Sequence, residues 1–275
     1  MNPKSNPALT FRDVRVRFNG VVAVDLAQLD LFRGSDLAVF LGPNGAGKSS
    51  LINAATGYAT VQPPGKVVLE NGECFELSTL SRDKIVRAGV ARTFQTPVIF
   101  PSLTVEESLL IAAAMGKRNS SLRRIVSLFR SLKYDRKSAL LVQYLIEELK
   151  LGAVAQVRMG ELPFVMLRRA ELARALAVQP RILFLDEPSA GADESETAFL
   201  VNVISSKLHE MIPSLFAKGL YRQSDLAIGL VTHDPTLLDG LAHSCSGEPM
   251  TYYFERGQLK SSCPLRQWLK SSKTS

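Results

Sequence analysis

The sequence predicts an α/β fold built on a parallel sheet, with a smaller antiparallel β piece near the N-terminus and a helical segment inserted in the middle. Three observations carry this. DLAVFL (36–41), RILFLD (181–186) and LAIGLV (226–231) are continuously apolar, as expected of strands buried on both faces of a parallel sheet. VRVRF (14–18) alternates apolar and basic residues, and VVLENGECFEL (67–77) carries an Asn71-Gly72 pair; these signal a half-exposed strand and a hairpin whose turn needs φ > 0. Between about 96 and 165 the strand signal gives way to helical spacing.

In chain order, the start MNPKSNPALT lacks the apolar stretch of a signal peptide. DLAVFL runs directly into GPNGAGKS (42–49) and then the helical SLINAATG. That is a phosphate-binding loop in its required strand–loop–helix setting. Its glycines turn backbone N–H groups toward phosphate oxygens, Lys48 would reach the β- and γ-phosphates, and the Ser49 hydroxyl would bind Mg²⁺. In the middle segment, Thr104 and Glu107 predict a capping box opening a helix at TVEESLLIAAAM (104–115). SLRRIVSLFRSLK (121–133) places Leu122, Ile125, Val126, Phe129 and Leu132 on one helical face, with Arg123, Arg124, Arg130 and Lys133 on the other. YLIEELKLG continues a helical pattern that should stop at Gly152. RILFLDEP (181–188) delivers Asp186 to the C-terminal edge of a buried strand, where ligands bind in open α/β sheets. Asp186 would hold the Mg²⁺ shell, and Glu187 would polarise an attacking water. KLHEMIPSLFAKGLYRQSD (207–225) is expected to be an extra loop interrupted by Pro213, and the polar tail after Gly257 to be loosely attached except at Leu265 and Trp268.

Bulk composition narrows the class without deciding it. The 275 residues are 46% hydrophobic and 21% charged, enough for a sizeable core and unlike a disordered chain. A net charge of +7 is compatible with nucleic acid, a membrane surface or an anionic substrate. Cys74, Cys245 and Cys263 are scattered, and so are His209, His233 and His243, which is neither a disulfide framework nor a zinc motif. The longest apolar runs, such as SLLIAAAM (108–115), are too short to span a bilayer, so a membrane role requires a partner.

With the phosphate loop and the Asp186 strand in view, the chain resembles the ATP-binding cassette of ABC transporters, a P-loop NTPase, over nearly its whole length. FNGVVAVDLAQLDLFRGSDLAVFLGPNGAGKSSLINAATG is similar to the family's opening. The resemblance places Phe18 on the adenine and puts Gly42, Pro43, Asn44, Gly45, Ala46, Gly47, Lys48, Ser49 and Ser50 around the phosphates. GVARTFQTPVIFPSLTVEESLLIAA resembles the Q-loop and the helix after it, with Gln95 contacting Mg²⁺ and water and its flank meeting a membrane subunit. PSAGAD, ending at Asp193, resembles the D-loop, and LVTHD resembles the switch region, with His233 at the γ-phosphate. The resemblance divides the single ATPase domain into 1–95 (β subdomain and first part of the core), 96–165 (helical subdomain), 166–260 (second part of the core) and a tail, 261–275. ARTFQ, FPSLTVEESLL and GELP are further similar to importer cassettes for branched-chain amino acids and related amides.

One stretch departs from the pattern. The subfamily's signature reads LPYGQQRR or LSYGQQRR; here LPFVMLRR (162–169) puts Val165 at the glycine and Met166 and Leu167 at polar positions, while RRAELARAL matches well. In this family two cassettes pair head to tail, and the signature of one covers the nucleotide held by the other. A branched side chain at that glycine blocks the close backbone approach, and Met and Leu should bring apolar surface toward a multiply charged ligand. The chain is therefore expected to bind ATP and Mg²⁺ and to pair with a second cassette that carries an intact signature. Separate integral membrane permease subunits would hold it at the cytoplasmic face of the inner or plasma membrane, and a substrate-binding protein would be a further partner of the assembly. Two other readings stand beside this: a non-transport ABC ATPase acting on nucleic acid or ribosomes, and a regulatory nucleotide-binding subunit with little turnover. The first lacks a tandem cassette and an aromatic-basic motif; the second is opposed by Glu187 and His233.

Overall fold

The computed structural model describes residues 7–18, 20–32, 37–70, 74–116 and 135–272. The Asn71-Gly72 turn and the helix expected over 121–133 lie outside the described residues.

Strands β1 (Pro7–Phe18), β2 (Val21–Phe32), β4 (Lys66–Glu70) and β5 (Cys74–Glu76) form an antiparallel sheet in the order β2-β1-β4-β5. VRVRF behaves as its alternation predicts: Val14 and Val16 are buried, whereas Arg15 and Arg17 are exposed. The second sheet has the order β10-β9-β3-β8-β7-β6. Its central members are β3 (Leu37–Leu41), β8 (Ala227–Val231) and β7 (Ile182–Asp186), flanked by β6 (Val90–Arg92) and β9 (Met250–Glu255). These five run parallel, and β10 (Gln258–Pro264) closes one edge antiparallel to β9.

β3, β7 and β8 are buried throughout because each strand feeds two cores. Leu37, Val39 and Leu41 of β3 enter one core with Leu183, Leu185, Ile228 and Leu230. Ala38 and Phe40 enter the other with Ile182, Phe184 and Val231. The first core lies under helices α3 (Val105–Met115), α4 (Arg136–Glu148) and α5 (Phe164–Ala177); the second joins the antiparallel sheet to α1 (Lys48–Ala55). A shorter helix, α2 (Arg82–Ala88), precedes β6. The capping box at α3 forms as expected: Thr104 Oγ1 accepts from Glu107 N–H, and Glu107 accepts from Thr104 N–H. No helix among the described residues is long and apolar enough to cross a membrane.

Three local expectations are corrected. α4 stops at Glu148, short of Gly152. Lys150 takes the left-handed conformation (φ 55°), and Lys150 and Leu151 N–H bond back to the Glu147 and Ile146 carbonyls. That pair of bonds ends a helix, and full burial of Leu151 holds it in place of a glycine. Pro213 does not interrupt its segment. α6 (Glu194–Asn202) passes through a wide turn at Val203–Lys207 into α7 (Leu208–Ala217), which contains Pro213. Leu208, Met211, Ile212 and Leu215 are buried along α7, and their packing outweighs the missing N–H. Finally, the tail is not loose: β10 pairs with β9 and α8 (Pro235–Ser244) lies beside α9 (Leu265–Ser272), while Leu265 and Trp268 pack against the core as expected.

Candidate ATP site

The phosphate loop sits between the C-terminal end of β3 and the first turn of α1. Gly42 (φ 138°) and Gly47 (φ 100°) are required there: a Cβ on Gly42 would lie 2.1 Å from the Phe254 carbonyl oxygen, and one on Gly47 would lie 2.3 Å from that of Ala23. The loop is thus wedged between β2 and the end of β9. The turn after β9 adds a strap, in which Gly257 N–H donates to Ala46 O at 3.0 Å and Asp25 N–H to Gly257 O at 2.8 Å. Lys48 Nζ donates to the carbonyls of Gly42 (2.7 Å) and Pro43 (3.0 Å), so the loop's cation curls over the loop itself. Burial lowers the Lys48 pKa, opposed by Glu187 and Asp186. We predict that Gly47→Ala weakens nucleotide binding at least about tenfold and costs about 1–3 kcal/mol of stability. Nucleotide titration and urea unfolding measure both, and parent-like values would show that the loop tolerates a side chain.

A cavity of about 320 Å³ opens over this loop, lined by Asn44, Gly45, Ala46, Gly47, Lys48, Ser49, Ser50, Gln95, Glu187 and Val231. Sequence positions up to 187 apart, Asn44 and Val231, thus converge on one polar pocket. Asp186 is linked to this lining through Ser49, whose Oγ donates to Asp186 Oδ1 at 3.3 Å. A hydroxyl and a carboxylate side by side are hard oxygen ligands, a donor set that fits Mg²⁺ completed by phosphate oxygens and water. Glu187 follows in the left-handed conformation (φ 51°), with its N–H donating to Val231 O at 2.9 Å. Its Oε1 lies 2.8 Å from His233 Nδ1. The Glu187 side chain is nearly buried, whereas His233 is open on its outer side. A non-glycine residue held in this region stores strain, and here that strain aims a carboxylate into the cavity. Phe18 is not among the cavity's lining residues. It is an exposed side chain (44%) at the end of β1, on the hairpin whose return strand carries Ala23 against Gly47. Asp193 caps α6 by accepting from Glu196 N–H.

Sequence reasoning missed two sets of residues. The first is Arg92, at the end of β6. Its guanidinium pairs with Asp186 Oδ2 at 3.0 Å, with both side chains under a tenth exposed (8% and 5%). It also donates to Asn53 Oδ1 and lies over the Phe94 ring at 4.5 Å. Burial raises the Asp186 pKa, and Arg92 is the leading opposing influence. Arg92→Ala leaves a buried carboxylate without its ion partner, and we expect a loss of about 3 kcal/mol, at the low end for broken buried pairs because Ser49 and Lys48 remain. Urea unfolding checks this, and a loss below about 1 kcal/mol would contradict it.

The second set is a clamp from α5 onto the Q-loop. Arg168 donates to Phe94 O (3.0 Å) and Gln95 O (2.6 Å), Glu171 Oε1 accepts from Phe94 N–H (3.0 Å), and Arg174 donates to Val98 O (2.5 Å). The spacing of three residues between these charges places them on one helical face, which was the available signal. Burial raises the Glu171 pKa against the Phe94 N–H bond and the nearby Arg174 and Arg168.

The departing stretch occupies the start of the same helix. Pro163 precedes α5 without a side-chain cap, and Phe164 is 48% exposed. The Phe164 ring lies beneath the Arg168 guanidinium (5.0 Å), and a Cβ on Gly191 of the D-loop segment would sit 3.6 Å from it. Met166 and Leu167 pack partly against the chain's own core. Of the apolar side chains at this helix start, Phe164 is the exposed one, while Val165, Met166 and Leu167 are half-buried.

Beside the Q-loop lies a second cavity, also about 320 Å³ and mostly apolar. Tyr58, Val98, Phe100, Ile111 and Met115 line it, with Arg82, Arg92, Arg174, Ser108 and Glu171 among its polar members.

The comparisons with known proteins fall on this architecture. The sequence profile of the family described as "ABC transporter" matches residues 25–190. BraF of Pseudomonas aeruginosa, a high-affinity branched-chain amino acid transport ATP-binding protein, is 32% identical over 237 residues, covering 85% of each chain. LivG of Escherichia coli K12, described in the same words, is 32% identical over 243 residues, covering 86% of each. Among solved structures, the ADP conformation of MJ1267, an ATP-binding cassette of an ABC transporter, matches with a TM-score of 0.73 at 23% identity, over 98% of this chain and 97% of that one. The wedged phosphate loop and the Asp186 strand both lie within the matched stretch, and this chain belongs to the ABC transporter family as an ATP-binding subunit, an ATPase.

Proposed function

We propose that this chain is one half of an asymmetric cassette pair that drives an importer of branched-chain amino acids or related small molecules. One contrast carries the reading. The groups that would serve a nucleotide from its own chain gather at or beside one cavity: the loop with Lys48 and Ser49, Gln95 and Glu187 in its lining, Asp186 bonded to Ser49, and His233 bonded to Glu187. What it owes to a facing chain is not, because Phe164 and Val165 stand where a close backbone approach to the γ-phosphate is required. Two copies would put this tip over both nucleotides. A partner cassette with an intact signature would complete the site here, with Mg²⁺ between Ser49 and Asp186, Gln95 beside it, and Glu187 and His233 at the attacking water. The adenine would lie on Phe18.

The substrate class follows the relatives, which are branched-chain amino acid transport proteins. The apolar groove beside the Q-loop is the proposed seat of the membrane-spanning permease, at the cytoplasmic face of the membrane, with a substrate-binding protein on the other side. Purification of the tagged chain from detergent-solubilised native membranes tests this. Recovery with a multi-span protein and a second cassette carrying an intact signature is expected. Recovery only as a monomer or homodimer would remove the asymmetric reading. LPFVM also supports a second reading, a nucleotide-binding regulator with little turnover; tight ATP binding without hydrolysis in the purified complex would favour it.

A further inference from the structure

The two carboxylate oxygens of Asp186 have different partners. Oδ1 accepts from Ser49 Oγ, at the lining of the ATP cavity. Oδ2 is held by the Arg92 guanidinium at 3.0 Å, and both side chains are almost wholly buried. Arg92 is fixed on several sides. Its backbone pairs with Phe184 as β6 lies along β7. Its Nη1 donates to Asn53 Oδ1 on α1 and to Thr56 Oγ1 just beyond that helix, the latter at 3.4 Å. The group also lies 4.5 Å from the centre of the Phe94 ring. Oδ2 is therefore capped by a cation that β6, α1 and Phe94 together hold in place.

We propose that Arg92 decides which divalent ion the ATP site accepts: by capping Oδ2 it leaves Asp186 a single free oxygen, which suits Mg²⁺ and disfavours Ca²⁺. This rests on the ion seat between Ser49 and Asp186 proposed above. Mg²⁺ is small, demands octahedral geometry and keeps several waters, whereas Ca²⁺ is larger, takes more oxygens and often uses both oxygens of one carboxylate. With Oδ2 held, Asp186 and Ser49 present one oxygen each in a fixed relation. An aspartate without the cap could turn both oxygens toward the larger ion. The Arg92 charge acts in the same sense, because Ca²⁺ affinity is tuned by the number of charged ligands, and the ion pair offsets part of the only negative charge bonded to Ser49 among the described residues. Arg92 is thus a positioning residue that works through Asp186.

The test reads the metal rather than turnover. The full chain, in excess over ATP, is loaded with Mn²⁺, an ion that also favours octahedral oxygen ligands. Mg²⁺ or Ca²⁺ is then titrated in while bound Mn²⁺ is followed by electron paramagnetic resonance. The ratio of the two displacing concentrations is compared between variants, because general damage to the site moves both alike. Arg92→Met keeps an apolar stem against Phe94 and removes the cap, and it should shift the ratio about tenfold toward Ca²⁺. Arg92→Lys keeps a cation for Oδ2 and should stay near the parent. That pair of results supports the proposal. A parent-like ratio in Arg92→Met, or an equal shift in both variants, overturns it. Should Arg92→Met fail to fold, Arg92→Gln decides: it should shift the ratio in the same direction, and a parent-like ratio overturns the proposal. Ser49→Ala separates the cap from the seat. If it weakens Mn²⁺ retention while the Arg92 variants keep the parent ratio, the seat stands and the cap falls. If it retains Mn²⁺ as the parent does, the ion lies elsewhere and both fall.

Discussion

Glu187→Gln is expected to reduce ATP hydrolysis by the purified complex about 10²–10⁴-fold while ATP binding persists, the range for removing a positioned general base. The expectation comes from geometry. Glu187 sits at the mouth of β7, one residue past the carboxylate proposed to hold Mg²⁺, and its backbone is pinned in a left-handed conformation by the bond to Val231 O. Its Oε1 is 2.8 Å from His233 Nδ1, so the imidazole fixes where the carboxylate points. Glutamine preserves the shape and the contact with His233 but cannot take up a proton. Binding should survive because Gly42–Ser50, Asp186 and Gln95 are untouched. A variant that still turns over within tenfold of the parent would mean that another group polarises the water. Loss of binding and turnover together would mean that Glu187 holds the loop in shape instead.

The second large effect should be a gain. Val165→Gly combined with Met166→Gln and Leu167→Gln restores the polar tip of α5, and turnover by the isolated chain at high concentration should rise about a hundredfold. That is the scale of one preorganised donor to a transition-state anion. The isolated chain is the informative sample because only this chain can then supply the facing tip. If a partner cassette completes the site as proposed, the same triple variant in the native complex should change turnover there far less. Since Met166 and Leu167 help cover the core, the substitution also costs stability, and Val165→Gly alone is the companion variant. If neither raises turnover, the chain's slow step lies somewhere other than LPFVM.

Much of this architecture is legible in the sequence, for physical reasons. A strand that feeds two cores can carry no polar residue in its middle, so DLAVFL, RILFLD and LAIGLV announce themselves. The phosphate loop is legible because its pattern is local: glycines, a lysine and a serine stand at fixed offsets directly after a buried strand. Long-range pairs leave no such trace. Arg92 and Asp186 are 94 residues apart, and nothing in either neighbourhood predicts the other. QLKSSCP does not read as a strand because β10 is an edge, with a neighbour on one side only. Pro213 misled because local propensity argues for a break, and only the buried face of α7 argues against one. The clamp from Arg168, Glu171 and Arg174 was half visible. The charges stood on one face, but their target was backbone, and backbone carries no sequence signature.

The strap formed by Gly257 has a consequence for how the protein is made. Residues 42–49 leave the ribosome early, yet the groups that brace them, Phe254 O and the Gly257 amide, are synthesised more than two hundred residues later. Contacts of such sequence separation form late. During synthesis the nascent loop therefore lacks one of its walls, and a growing chain should not retain ATP until the turn at 256–257 has emerged. Nucleotide capture is then a sign of completed folding.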